Sequence, residues 1–300
     1  MRQLVRSAAL AAAVGVTLAA FAGQSSASSA KGPAPQPRKA AAARALPAGY
    51  QLVTSGEQPV TGGTQGSAEA TCPSGTIAIS GGEYSSASTF GVSINTLFPD
   101  GTLPWIGYVN NADATDSTTN VYATCIASSY TVTSTPFHGT NTPNSHLHLQ
   151  ATCPTGSVVV GGGEINDDLG LGERMVSSYP VKSGSGASLA YGWAVDMNNT
   201  YKTGNLAITI IAYCTPTGSI KGCHLYKGST VSGDPLTQVN AQIQCPFPKQ
   251  PLSGGVRTLG TSVKLSLNST YPFGNSWGSY VNNPTLKIAK LVPYAVCAGI

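Results

Sequence analysis

Few residues in this chain are of types that could do chemistry, and each stands in a setting that limits it. Gly274-Asn275-Ser276-Trp277-Gly278 has the Gly-x-Ser-x-Gly form of a nucleophile elbow, which exposes its serine only on a tight strand-to-helix turn. No helical pattern follows it, so a catalytic serine is not expected. His146 and His148 alternate along one segment, which on a strand places both imidazoles on one face about 7 Å apart, where they could supply two ligands to a metal ion. A third ligand is wanting, because His138 is the nearest further imidazole and His224 lies in another connector. The pair reads as surface histidines of a polar linker, and no metal or other cofactor is expected. Glu164, Asp167 and Asp168 form the acidic cluster. Paired carboxylates serve glycoside hydrolysis or take calcium, but Asp-Asp in a Gly-flanked loop ordinarily marks a solvated turn. Phe98, Tyr179 and Tyr271 each precede a proline. Aromatics at such matched places suit a sugar- or partner-binding surface, and equally suit packing at strand ends.

The elements that must position these residues emerge when the chain is laid against itself. Cys72-Pro73, Cys153-Pro154 and Cys245-Pro246 open three copies, and nine residues after each cysteine begins a glycine pair: Gly81-Gly82, Gly162-Gly163 and Gly254-Gly255. All three tryptophans follow, Trp105, Trp193 and Trp277, each leading to an Asn-Asn pair at 110–111, 198–199 and 282–283. The copies close on Cys125, Cys214 and Cys297, which lie 20, 21 and 20 residues beyond their tryptophans. Four landmarks recurring in order three times define repeats at about 66–130, 147–217 and 239–300. Seen in this frame, the serine of the elbow is missing from the aligned stretches 102–106 and 190–194, and Glu83 and Arg257 stand near the place of Glu164.

Within a copy the pattern is β throughout. Short apolar or alternating runs are separated by Gly, Pro, Asn and Asp, and no helical periodicity competes. The glycine pair is expected to end a strand, and the Asn-Asn pair to form a turn, since asparagine tolerates left-handed φ. Each copy owns one cysteine near its start and one near its end. The repeat symmetry selects Cys72–Cys125, Cys153–Cys214 and Cys245–Cys297 from the possible pairings and leaves Cys223 unpaired, as a buried free thiol, an intermolecular bridge or a sign that one pairing is wrong. The tryptophans keep their distance to the closing cysteine, so they are assigned to the core. The fold class expected is all-β: three disulfide-closed antiparallel repeats in a pseudo-threefold, β-prism-like arrangement that limits exposed edges. Three small β-sandwiches in series are the second choice.

Residues 1–30 read as an export signal, with Arg2 and Arg6 ahead of an apolar run and small residues after it. No later segment reaches the roughly 20 apolar residues that span a bilayer. Residues 31–48 read as a flexible Ala/Pro/basic tail, and residues 49–300 as the three-repeat domain. Six of the sixteen basic residues precede residue 49, which leaves ten against all twelve acidic ones in the folded part. That balance gives no nucleic-acid footprint. Charged residues are 9% of the chain, against about 25% in ordinary soluble proteins, and such sparse charge together with paired cysteines suits an exported protein.

The Cys-Pro-x-Gly, Gly-Gly, Trp and Tyr-Ala-x-Cys sequence of landmarks resembles repeats of uncharacterised secreted actinobacterial proteins, over about residues 66–300. The resemblance implies a bacterial, extracellular setting and brings no catalytic residue. A looser likeness, of threefold pattern alone, is to the β-prism of vitelline membrane outer layer proteins and some lectins. With no supported nucleophile, phosphate loop or metal cluster, the expected function is a non-enzymatic interaction or envelope-associated module with an extracellular protein or glycan as partner. A lectin-like carbohydrate binder and a protease-modulating protein are the alternatives.

Overall fold

The computed structural model describes residues 46–299, Leu169 excepted. The expected export signal and the basic tail up to residue 45 lie outside the described residues. Copy one contributes β1 (Gln51–Thr54), β2 (Gln58–Val60), β3 (Thr64–Thr71), β4 (Thr76–Ser85), β5 (Val92–Pro99), β6 (Pro104–Asn111) and β7 (Ser117–Ala127). Copy two contributes β8 (Thr133–Asn141), β9 (Ser145–Thr152), β10 (Ser157–Asn166), β11 (Glu173–Ser183), β12 (Ala190–Asn199) and β13 (Leu206–Pro216). Copy three contributes β14 (His224–Lys227), β15 (Val231–Gly233), β16 (Thr237–Gln244), β17 (Gln250–Thr258), β18 (Ser266–Phe273), β19 (Ser276–Asn283) and β20 (Ala289–Ala298).

These strands make three antiparallel sheets, and none belongs to one copy. The first runs β1-β7-β4-β18-β19-β16 with β2 also on β7, the second β3-β6-β5-β10-β13-β8, and the third β14-β20-β17-β11-β12-β9 with β15 also on β20. Each copy is therefore split. Its glycine-pair and closing strands enter one sheet, while its opening, pre-tryptophan and tryptophan strands enter another and pair there with the next copy. The seams are β5 on β10 at Leu97 and Glu164, β11 on β17 at Ser178 and Val256, and β18 on β4 at Thr270 and Glu83. Copy one meets two, two meets three and three meets one. This cyclic exchange is compatible with the pseudo-threefold arrangement, and it replaces the sandwiches in series, which would require each copy to own its sheets.

The connectors between the repeats also form strands. The stretches between repeats hold β8 and the pair β14/β15, and β1/β2 are their counterparts ahead of copy one, so in each copy a connector strand or pair precedes the strand that leads into the Cys-Pro landmark. These are edge strands pairing only with β7, β13 or β20, and most of their side chains are exposed, so they carry none of the apolar alternation that marks a strand in sequence. Pro47 and Ala48, assigned by composition to the tail, are held on the fold: Ala127 N donates to Ala48 O at 2.7 Å and Ala48 N donates to Tyr130 Oη at 3.1 Å.

Both repeated pairs do work that their residue types only half announce. The glycines sit inside β4, β10 and β17 and do not end them. A Cβ on Gly81, Gly162 or Gly254 would lie 2.1 to 2.4 Å from the ring of Trp105, Trp193 or Trp277, so the first glycine seats its own copy's tryptophan across two sheets. A Cβ on Gly82, Gly163 or Gly255 would meet a backbone oxygen of the strand across the seam, Thr270, Leu97 or Ser178, at 1.7 to 2.4 Å. The second glycine thus admits the neighbouring copy. Just before each pair the register shifts by one residue, between Ala78 and Ser80, Val159 and Gly161, and Pro251 and Ser253. Such bulges raise local twist, and they bury Ile79, Val160 and Leu252 completely.

The Asn-Asn pairs are the last residues of β6, β12 and β19, so the expected turn begins only after them. The first asparagine reaches the next copy: Asn110 Nδ2 donates to Glu173 O at 2.7 Å, Asn198 to Leu265 O at 2.9 Å and Asn282 to Val92 O at 2.7 Å. The second ties its own copy, donating to the connector at Val60, Asn141 or Asp234 and to the following turn at Thr115, Gly204 or Lys287. All six are essentially inaccessible to solvent. Two donors and two acceptors on one short side chain make asparagine suited to this double duty.

The bridges Cys72–Cys125, Cys153–Cys214 and Cys245–Cys297 join the opening and closing ends of one copy, each with Cα atoms 5.7 Å apart. Because those ends lie in different sheets, each bridge is also a staple between sheets. In the chain-entropy account, closing loops of this length stabilises by roughly 3 to 4.5 kcal/mol per bridge.

Candidate functional site

At the Asn-Asn end of each copy three loops converge: the turn after the connector strand, the loop after the glycine-pair strand, and the loop after the tryptophan strand. In copy one a carboxylate closes this group. Asp113 accepts from Thr89 across the gap, and Asp116 Oδ1 accepts from Gly62 N at 2.9 Å. Copy two is closed by Asp168, whose Oδ1 accepts from Tyr201 Oη at 2.9 Å and whose Oδ2 accepts from Glu173 N at 2.9 Å.

Copy three differs. Its loops read Asp234-Pro235-Leu236, Leu259 to Leu265, and Pro284-Thr285-Leu286-Lys287-Ile288. Thr285 stands where copy one has Asp113 and copy two Tyr201, and its hydroxyl turns back to Asn283 and Lys287 of its own loop. Among the described residues no side-chain hydrogen bond crosses from 284–288 to 259–265. A groove of about 700 Å³ remains, walled by Leu259, Leu265, Leu286 and Ile288 and flanked by Lys264 and Lys287. Leu286 is 82% exposed and Ile288 61%. Leu236, held with φ +55° and donating its N–H to Thr285 O at 3.1 Å, adds a further leucine, 55% exposed. Aliphatic side chains are rarely left this open in such density on three neighbouring loops.

The residues singled out in the sequence fall elsewhere. Tyr179 and Tyr271 lie within β11 and β18 and are nearly buried, stacking on Tyr294 and Tyr122 with centroids 5.2 and 5.8 Å apart. Phe98, on β5, stacks at 6.5 Å on Tyr108. These rings pack beside the seam glycines and are not the loop aromatics that a sugar platform requires. Trp105, Trp193 and Trp277 are at most 2% exposed. Ser276 opens strand β19 after a turn at Gly274, without the helix an elbow needs.

Glu164 is wholly buried on β10, whereas Asp167 is exposed and Asp168 is partly buried and engaged in closing its loop. The acidic cluster is therefore not one solvated turn. Glu173, unremarked in the sequence, is the nearer partner of Glu164. Both are buried at the seam of copies one and two, with Glu164 Oε1 and Glu173 Oε2 lacking hydrogen-bond partners. Burial raises Glu173 to about 7, against the donor Asn141 at 2.8 Å. Glu83, equally buried, is raised to about 8 despite the hydroxyl of Thr119 at 2.7 Å. Burial also drives Glu164 well up, with the Glu173 charge adding to it.

His146 and His148 lie on β9 and not in a linker. His148 Nδ1 is 2.7 Å from Asp196 Oδ1, and His146 Nδ1 is 2.8 Å from Asn198 Oδ1. Asp196 is the third group the sequence did not place beside them, yet among the described residues no set of three donors converges as a metal would need. His138 and His224 sit on β8 and β14, and His138 Nδ1 is 2.9 Å from Thr209 Oγ1. Cys223 is free, and burial pushes its thiol up to about 12.

A pH dependence follows from these groups. In the fold the three glutamates keep protons that an unfolded chain, with glutamates near 4.5, releases on the way to neutrality. Stability therefore falls as pH rises from about 4.5 and levels off only above about 7 and 8, the values of Glu173 and Glu83 in the fold. His148 acts in the same direction. Its hydrogen bond to Asp196 raises it in the fold, so its contribution is complete below its ordinary value and lost above the raised one. Calorimetry is expected to find the melting temperature lower at pH 8.5 than at pH 5 by on the order of 5 °C, with Glu83→Gln flattening the slope. A rise over that range would mean that the carboxyls are ionised in the fold.

No protein-family model matches the chain, and no curated protein matches it. The fold and the loop geometry themselves define the class: a disulfide-stapled, three-copy β-scaffold in which carboxylates close two loop groups and, among the described residues, the third is open and apolar.

Proposed function

We propose that this chain is an extracellular, non-enzymatic interaction module of the cell envelope, which makes its contact through the loop group of copy three. The observation that carries the reading is the break in symmetry. Where copies one and two spend a carboxylate to close their loops, copy three leaves four aliphatic side chains in solvent. A scaffold gains nothing in stability from exposed leucines, so their presence, among the described residues, at one of three matched loop groups points to a surface that is covered in use. Export is supported by the three disulfides. The buried setting of Glu164 and Glu173, which no substrate reaches, supports a non-enzymatic role.

Retention on isolated cell envelopes tests this. The mature protein is expected to bind, and Leu286→Asp/Ile288→Asp to lose at least about tenfold in retention, a scale set by the removal of one to two kcal/mol of apolar contact. Thr203→Asp, on the matched loop of copy two, is expected to change nothing. Equal retention of all three proteins would sink the reading.

A further inference from the structure

We infer that the copy-three loop group docks on an anionic lipid surface, an inference that rests on the envelope-contact reading above. Exposure of the apolar side chains rises toward the loop tips, from Leu265 at 5% through Leu259 at 43% and Ile288 at 61% to Leu286 at 82%. A pocket for a free small ligand would show the opposite gradient, with its apolar walls half-covered and its rim polar. Here the most apolar points project furthest, as they do in elements that set aliphatic tips into the boundary between headgroups and acyl chains. The groove between them leaves the tips separated, free to enter a soft layer one by one.

Charge narrows the partner. Lys264, Lys287 and Lys290 are exposed around these tips, and Asp234 is the one acidic residue in the three loops. The residues from 49 onward carry ten basic against twelve acidic side chains, so this end is locally positive on an otherwise slightly negative scaffold. Lysines ringing an apolar tip are drawn to anionic headgroups. Two copies of this chain meeting through the same patch would set lysine against lysine, and the basic segment of residues 31–44 would be repelled from it. Neither is the favoured occupant.

Flotation of the mature chain with vesicles tests the inference, using phosphatidylcholine alone and phosphatidylcholine with three parts in ten phosphatidylglycerol, in 100 mM salt. Binding to the anionic vesicles is expected, with weak or no binding to the neutral ones. Lys264→Glu/Lys287→Glu is expected to weaken it by roughly twentyfold or more, since each lysine near such a surface contributes about fivefold. Leu286→Asp/Ile288→Asp should abolish it. All four positions are exposed, so both variants should keep the parent melting temperature. Thr203→Asp should bind as the parent does.

If no vesicle binds while envelope retention still depends on Leu286 and Ile288, the partner is a protein or glycan; the lipid inference falls and the envelope reading stands. If retention is also indifferent to these residues, both fall. Equal binding to neutral and anionic vesicles, or a concentration-dependent dimer abolished by Leu286→Asp/Ile288→Asp without vesicle binding, would likewise overturn it.

Discussion

Replacing Trp193 or Trp277 with alanine is expected to lower the unfolding free energy by about 3 to 5 kcal/mol, the cost of emptying a large buried site. Each ring lies against a glycine of another sheet and is at most 2% exposed, so little nearby can collapse into the space. Trp105→Ala should cost a similar amount. Phenylalanine separates the three. Trp193 Nε1 donates to Ser178 Oγ at 2.9 Å and Trp277 Nε1 to Thr270 Oγ1 at 2.8 Å. The matched residue in copy one is Leu97, and Trp105 Nε1 has no partner. Trp193→Phe strands the buried hydroxyl of Ser178, at about 1 to 3 kcal/mol; Trp277→Phe should cost less, because Thr270 Oγ1 keeps Ser279 Oγ at 3.0 Å; and Trp105→Phe removes an orphan donor and should cost less than either. Chemical denaturation of the three phenylalanine variants measures the order. Trp105→Phe emerging as the most damaging would show that its N–H is satisfied after all.

Gly255→Ala is expected to prevent folding or to cost more than about 4 kcal/mol. The added Cβ would sit 1.7 Å from the carbonyl oxygen of Ser178. That oxygen is backbone, so relief requires parting β17 from β11 along the seam where copies two and three join. Gly63→Ala is the comparison: its φ of +75° strains any side chain, but nothing lies within 4 Å, and about 1 kcal/mol is expected. If thermal melts place the two variants together, the seam does not need close backbone approach at Gly255.

Much of this arrangement was readable in advance because it is local and repeated. The spacing of Cys-Pro, Gly-Gly, Trp and closing Cys lies in the chain itself, and three copies of it imply one structural unit used three times. The all-β class, the intra-copy cysteine pairing and the burial of tryptophans held at fixed distance all come from that periodicity, since a side chain that must meet the same neighbours in each copy cannot drift in sequence. The edge strands β1, β8 and β14 were not readable. They are held by backbone hydrogen bonds to a closing strand, and a strand exposed on its outer side carries no apolar alternation.

The amino-acid sequence by itself determined the number of copies, the staple within each, and the residues on which every copy must close. Tertiary structure alone decided that no sheet belongs to a single copy. A glycine pair looks the same in sequence whether it ends a strand or lets two backbones touch, and an asparagine pair looks the same whether it turns the chain or clamps the next copy. Which it is depends on a partner that lies 63 to 190 residues away, as Asn110 from Glu173 and Asn282 from Val92 do. The same holds for the candidate site. Leu236, Leu259, Leu286 and Ile288 are scattered over three loops of the third copy, and each alone is an ordinary apolar residue. Only the meeting of those loops makes them one exposed surface, and only the carboxylates of Asp113 and Asp168, on different loops of the two matched groups, show what closure there looks like.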